Sequence, residues 1–329
     1  RGLEFRRVLF RSDWPWAIEL SNMARSFEDV RETGFRTLAA AADVLALLDS
    51  RIAELPAEPV AFGDAAGRVL AAAVTSAVDV PEFPRAAMDG FAVRSVDTDP
   101  PRDLAIIGQS LPGRPFAGVL GAGECVRITT GAPLPDGADA VVMIEKATTH
   151  GNRVLIRDAV SPGRHVGRVG EDVAAGCEVL PAGRVLRPQD LGILAAIGVA
   201  RVNVVRRPRV AILITGDELL PPGSRPERFR IVDSNSPMLT ALVQRDGGVC
   251  LPVQYVKDDF EAVCNAIASA AMAADLVLVS GGTSVGSVDH APRAVAALGE
   301  LAVHGIAIRP AKPLGIGFVP RAEIGRAHV

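Results

Sequence analysis

The sequence predicts an α/β multidomain chain, and three observations carry that expectation. Helix-spaced apolar residues open the structured part. Short apolar runs broken by Gly and Pro turns fill the middle, and continuous Val/Ile/Leu runs alternating with helical stretches follow. A chain of 329 residues has room for two or three cores.

In chain order, TLAAAADVLALLDSRI after Arg36 places apolar residues at helical spacing, and AAGRVLAAAV after Asp64 reads the same way. The Val78 to Pro84 stretch holds two prolines that cannot sit inside a helix, so a boundary falls there and a new unit begins near Pro81. Between Phe91 and Val160 the runs LAIIG, CVRIT, AVVMIE and RVLIR are separated by Gly and Pro turns, the pattern of an all-β module. Ser161 to about Val205 is mixed, with a helix-like stretch from Asp190 to Gly198, and suits packing back on the first helices. After Arg206 come VAILITG, SPMLTALVQRDGG, VCLPVQYV, FEAVCNAIASAAMAA and DLVLVSGG. Apolar strands alternating with helices imply a mostly parallel sheet covered on both faces, whose sites lie at the carboxyl ends of its strands.

Composition excludes several function classes. Apolar residues make up 49% of the chain and charged residues 22%, the balance of a folded protein. Thirty-five basic against 38 acidic residues leave a net charge of -3, with no bulk positive field for nucleic acid or an anionic membrane. The four cysteines form no CxxC pair and read as reduced thiols. The five histidines show no ligand spacing, so any bound metal would be a hard cation such as Mg²⁺ held by oxygen. No apolar run reaches the ~18 residues of a membrane span and no signal-peptide pattern opens the chain, which gives a cytoplasmic expectation.

Unusual residues concentrate at strand ends. Thr215-Gly216-Asp217-Glu218 follows VAILI: Asp217 reads as a helix N-cap or, alternatively, Glu218 stands at the sheet edge to hold a cation or ligand hydroxyl. The run from Ser280 to Asp289, with Gly281, Gly282, Thr283, Ser284 and Gly286, combines glycines and hydroxyls before a helix and suits an anion or a turn ending in an N-cap. Arg309-Pro310-Ala311-Lys312-Pro313 aims two cations from a stiffened strand end, and Lys312 is one of three lysines in an arginine-rich chain. Asp89 before Gly90 suits a hairpin turn or a site, as do Thr130 before Gly131 and Asp172 after Gly170-Glu171. Asp258 and Asp259 read as an N-cap pair when taken alone.

Seven pieces occur in one order: VPEFPRAAMDGFAVR, RITTGAPLPDGADAVVMIE, GEDVAAG with PAG after it, RVAILITGDEL, VDSNSPML, VLVSGGTSVGSVD and IRPAKP. Together they resemble the molybdopterin molybdenumtransferases, a family that includes the C-terminal part of gephyrin. The resemblance implies a discontinuous helix-containing domain (residues 31–78 and 161–205), an inserted β-rich domain (79–160) and a molybdopterin-binding α/β domain (206–321). It implies insertion of molybdate into adenylylated molybdopterin with release of AMP and assistance by Mg²⁺. It further implies a homodimer, supplied by the molybdopterin adenylyltransferase, with the cleft between the β-rich domain of one subunit and the α/β domain of the other.

By residue type, Asp89, Thr130, Asp172, Glu218, Asp258 and Asp289 match the family's catalytic positions, with Glu218 and Asp289 as metal contacts. The resemblance assigns Gly281, Gly282, Thr283, Ser284 and Gly286 to the pterin and phosphate, and Arg309 and Lys312 to anions. The chain departs from the family at Gly305, where a basic residue is usual, at Ala86, where serine is usual, and in its Arg309-Pro-Ala-Lys312-Pro motif. The family's Gly-Leu-Pro-Gly-Asn-Pro stretch and fourth, β-barrel domain do not follow, so the chain reads as truncated, with residues 1–30 as non-native or disordered and 322–329 as a non-native tail. Two readings compete with the transferase: a molybdopterin-binding scaffold without turnover, and a nucleotide-processing enzyme sharing only the α/β domain.

Overall fold

The computed structural model describes residues 38–281, 290–308 and 313–320. They fall in two compact units, Pro59–Val202 forming one, and the residues up to Glu58 together with those from Asn203 onward forming the other.

Helix α1 (Ala41–Arg51) belongs to the second of these. Its Val44 packs with Val303 and Ile306, and Leu47, Leu48 and Ile316 close over them. Backbone bonds tie the entry to the helix, since Ala39 N–H donates to the Gly305 carbonyl (3.0 Å) and Ala307 N–H to the Ala39 carbonyl (2.9 Å). Arg51, in the last turn, pairs with Glu300.

In the unit 59–202, the helical spacing of AAGRVLAAAV predicts a second helix, and none forms there. Gly67 sits at φ +72°, which ends any helical turn. The segment instead pairs with residues 183–186: Gly67 N–H donates to Leu186 (2.8 Å), Leu70 N–H to Arg184 (2.9 Å) and Gly183 N–H to Leu70 (2.8 Å). Apolar spacing that suits a helix also suits a buried extended pair, and Leu70 and Leu186 are buried. The short strands Val74–Thr75 and Glu178–Leu180 continue that pairing.

The β-rich expectation holds for the centre of this unit. A six-stranded sheet runs in the order Ala140–Met143, Gly90–Val93, Glu124–Ile128, Arg102–Ser110, Arg153–Ile156, Ala147–His150. Its pairings are antiparallel except for Arg102–Ser110 with Glu124–Ile128. Side chains alternate between two cores: Phe91, Val93, Cys125, Ala140 and Val142 face one, and Ala92, Val126, Ile128 and Val141 face the other. Helix α2 (Pro188–Ala196) starts on a proline, and the buried Asp190 carboxylate gathers Arg184 Nη2 (2.9 Å) and the Arg187 backbone N–H (2.9 Å) at its first turn. Those donors hold its carboxyl well below the ordinary carboxylate range.

The remaining residues build the expected parallel sheet. Arg209–Thr215 is its central strand; Leu276–Ser280 pairs along one edge, and Val249–Cys250 and then Gln254–Val256 pair along the other, all parallel. Pro252, lacking an N–H, falls between the last two segments. Helices α3 (Asn235–Arg245) and α4 (Phe260–Ala273) make the crossovers, and α5 (Ala291–Leu298) follows the third strand. Ala211 and Leu213 pack against Val263, Ile267 and Ala270 of α4 and Ala294 of α5, while Val210, Ile212 and Ile214 are buried on the other face. Glu300–His304 and Gly315–Phe318 close the unit as an antiparallel pair.

Candidate functional site

Among the described residues, the site residues expected from the sequence fall into one group in each unit. In the β-rich unit, Asp89 precedes the strand Gly90–Val93, and its Oδ1 accepts from the Thr130 backbone N–H (2.6 Å) and the Thr130 hydroxyl (2.9 Å). Those bonds lower the carboxyl below its usual value. Gly90 is not a hairpin residue: a Cβ there would stand 1.9 Å from the Val142 carbonyl oxygen, so glycine lets the neighbouring strand approach. Asp172 is held from the same stretch of chain. Its N–H donates to the Val80 carbonyl (3.0 Å), and its Oδ2 accepts from Arg85 Nη2 (3.0 Å), which also reaches Glu171 Oε1 (2.9 Å). The segment 80–90 therefore carries Asp89 and, through Arg85, holds Asp172. Arg85 was not singled out from the sequence; its signal is a lone cation between Pro84 and two alanines.

In the α/β unit the parallel strands deliver their carboxyl ends to one edge. The central strand leads to Thr215-Gly216-Asp217-Glu218, the strand Gln254–Val256 to Asp258, and the strand Leu276–Ser280 to Gly281. Asp217 caps no helix, because the chain turns there (Leu219 N–H to the Gly216 carbonyl, 3.1 Å) into the short strand Leu219–Leu220. Asp259 alone is the N-cap of α4, accepting from the Ala262 N–H (2.9 Å), which leaves Asp258 to the edge. Burial raises the Asp258 carboxyl above the ordinary range; the Asp217 backbone N–H opposes this, and the charges of Asp217 and Glu218 add to it.

Gly281 sits at φ +105°, where a Cβ would come within 2.2 Å of the Thr215 carbonyl oxygen. The Thr215 hydroxyl beneath it is buried and has no hydrogen-bond partner among the described residues. Gly282, Thr283, Ser284, Gly286 and Asp289, and likewise Arg309 and Lys312, lie outside the described residues. His290, next in the chain, is the N-cap residue of α5. Asp233, Asn235 and Tyr255, which the sequence reading passed over, surround the same edge, and the VDSNSPML run contains the first two.

Residues 36–198 match the MoeA N-terminal region (domain I and II), and residues 211–328 match a probable molybdopterin binding domain. A molybdopterin molybdenumtransferase 2 from Mycobacterium tuberculosis is 36% identical over 271 residues, 79% of this chain and 67% of that protein. The chain belongs to the molybdopterin molybdenumtransferase family. The family's member from Nostoc sp. is 38% identical over 260 residues, 77% of this chain and 60% of its own length. The molybdopterin biosynthesis moeA protein of Pyrococcus horikoshii OT3 superposes with a TM-score of 0.76 at 33% identity, covering 85% of this chain and 72% of that one. The chain spans less than two thirds of the length of the first curated relatives, 60% of the Nostoc protein and 64% of one from Haemophilus influenzae.

Within that family frame, Asp89, Thr130 and Asp172 fall in the N-terminal match, and Glu218, Asp258 and Gly281 in the molybdopterin binding match. The donor chemistry of the second group fits Mg²⁺. Glu218 and Asp217 are exposed, and their charges act on a half-buried Asp258, an arrangement of like charge that a hard cation relieves. Among the described residues no three His, Cys, Asp or Glu side chains are grouped closely enough to hold a metal unaided. Mg²⁺ ordinarily takes one or two carboxylates and completes its shell with water and substrate phosphate, so the two facts agree.

Proposed function

We propose that the protein inserts molybdate into adenylylated molybdopterin, forming molybdenum cofactor and releasing AMP. The observation that carries this is the carboxylate group of Asp217, Glu218 and Asp258 at the carboxyl edge of a parallel sheet, inside the segment that matches the molybdopterin binding domain. Open α/β sheets bind ligands at that edge. Glu218 and Asp258, with Asp289, would hold Mg²⁺ on the substrate pyrophosphate. When bound there, the ion would neutralise phosphate charge that builds as AMP departs.

The chain's own residues then bind and orient. The glycine at 281 lets the loop pack directly against the Thr215 backbone, where a Cβ would clash, and so sets where the loop that follows leaves the sheet. Gly282, Thr283, Ser284 and Gly286 would offer N–H and hydroxyl donors to the pterin and phosphate, and Arg309 and Lys312 would hold anions. Asp89 is already fixed by Thr130, and Asp172 by Arg85, so both are ready to accept from substrate donors without reorganisation. In a homodimer they would serve the partner's α/β domain.

Molybdopterin adenylyltransferase would supply the substrate in the cytoplasm. Among the described residues no helix is long and apolar enough to cross a membrane. This reading takes residues 79–160 as the β-rich insertion.

AMP release from adenylylated molybdopterin, with and without molybdate and Mg²⁺, tests the proposal. Release that requires both supports it. Tight binding without release supports the scaffold reading instead.

A further inference from the structure

We propose that Asp233 is a positioning residue for the carboxyl-edge site, a buried carboxylate that sets where Asp258 and Gly281 stand, with Asn235 as its relay to Ser280. The identity of the ligand rests on the function proposed above; the network itself does not.

Asp233 is 4% exposed. Its Oδ1 accepts from the backbone N–H groups of Asn235 (2.8 Å) and Ser236 (3.0 Å), and its Oδ2 from the hydroxyls of Tyr255 (2.8 Å) and Ser236. Both oxygens are thus used twice. The four bonds reach two elements, three of them the start of α3 and one the strand Gln254–Val256. The two amides and the serine hydroxyl start α3. Tyr255 lies on the strand that runs into Asp258, three residues on. Asn235 Nδ2 donates to Ser280 Oγ (3.0 Å), and Ser280 ends the strand that leads into Gly281.

The backbone completes the set. Asp233 N–H donates to the Leu220 carbonyl (2.8 Å), and Ile231 N–H to the Glu218 carbonyl (3.0 Å), so the turn carrying Glu218 is tied to the same residue. The Asp233 side chain thus bonds the strand that runs into Asp258, its backbone N–H ties the turn after the central strand, and its neighbour Asn235 reaches the outlet of the third.

Helix capping alone does not explain this arrangement. A neutral Ser, Thr or Asn caps an N-terminus about as well as a carboxylate, without a buried charge. What needs a carboxylate is the simultaneous acceptance of four donors from α3 and a neighbouring strand, which no amide can match because half of an amide is itself a donor. Burial pushes the Asp233 carboxyl up, but the bonds from Ser236, Tyr255 and Asn235 outweigh it and keep the group ionised.

The test uses the full chain and the variants Asp233→Asn, Tyr255→Phe, Asn235→Ala and Ser280→Ala, with Arg245→Ala on the exposed end of α3 as control. Two readouts separate the claims. Hydrogen exchange on the free protein should show faster exchange in peptides covering 254–260 and 276–281 for Asp233→Asn, and unchanged exchange in the sheet of the β-rich unit. Affinity for adenylylated molybdopterin, read by calorimetry below the melting transition, should fall about tenfold for Asp233→Asn and for Ser280→Ala. The double variant should fall no further than the worse single, because the residues act as one network.

A merely structural role would lower the melting temperature and leave affinity and additivity unchanged, and that result would overturn the proposal. Unchanged exchange at both strand outlets would overturn it too. If Asp233→Asn does not fold, Tyr255→Phe and Asn235→Ala, at less buried positions, decide by the same two readouts. If the unaltered chain fails to bind adenylylated molybdopterin, the proposed function falls while the exchange result still decides the positioning claim.

Discussion

The two units hold their acidic site residues in opposite electrostatic states. In the β-rich unit each carboxylate has its partners within the protein: Asp89 is bonded by Thr130, and Asp172 by Arg85. In the α/β unit Asp258 faces like charge from Asp217 and Glu218, with one backbone N–H and His290 opposing it. A site that is already compensated orients what comes to it; a site with excess like charge is waiting for a counter-charge. Under the proposed function, the contrast assigns the cation to the sheet edge and recognition to the β-rich unit.

The largest effect expected from this division is on turnover. Glu218→Gln should slow AMP release on the order of 100-fold, with added Mg²⁺ failing to restore it. Thr130→Ala should act mainly on KM, because Asp89 keeps its charge and loses only a partner. Full turnover in Glu218→Gln would erase the contrast.

Both units also place a glycine beside their acidic residues, and here they should behave alike. Gly281→Ala and Gly90→Ala would bring a Cβ to 2.2 Å and 1.9 Å from backbone carbonyl oxygens, so each should lose at least about 3 kcal/mol in urea unfolding. Gly131→Ala, at φ +80° with open space around it, should lose only about 1 kcal/mol. A mild Gly281→Ala would mean that the Thr215 outlet yields easily.

Acidity sharpens the contrast with opposite signs. The Asp89 carboxyl is lowered by its bonds from Thr130, so it contributes stability above the unfolded value, about pH 4, which is lost as pH falls through its folded value. The Asp258 carboxyl is raised by burial, so its favourable contribution exists below about pH 4 and is lost as pH rises through its folded value. Without Mg²⁺, Asp89→Asn should lower the thermal midpoint at pH 7 and Asp258→Asn should raise it. Both differences should shrink toward pH 3, and midpoints at the two pH values check this.

The smallest expected effect concerns thiols. Burial pushes the Cys125 thiol up to about 12, and burial raises that of Cys264 as well, whereas Cys177 is exposed. Iodoacetamide at pH 8 should label Cys177 well before either, as mass spectrometry of the folded chain would show.

Much of the fold was legible because burial imposes short-range periods. The parallel sheet could be read from VAILI and LVLV, whose every position is apolar, and α4 from its spacing. The stretch after Asp64 was misread because its apolar pattern satisfies a buried extended pair as well as a helix, and its partner at 183–186 is more than a hundred residues away. Which residues stand at the sheet's carboxyl edge was legible where a residue type is unusual at a strand end, as at Glu218 and Gly281. Arg85 and Asp233 escaped because their importance lies in whom they touch, and those partners, Asp172, Tyr255 and the Leu220 carbonyl, are set by tertiary packing.

The packing of α1 against Val303 and Ile306 has a consequence for synthesis. At about 5–20 residues per second, the ribosome adds the intervening stretch of about 250 residues in roughly 10–50 s. The unit 59–202 is complete well before that, so it can condense while the helix that precedes it still lacks its docking partner. During that interval Val44 and Leu47 are clients for whatever shields nascent apolar chain.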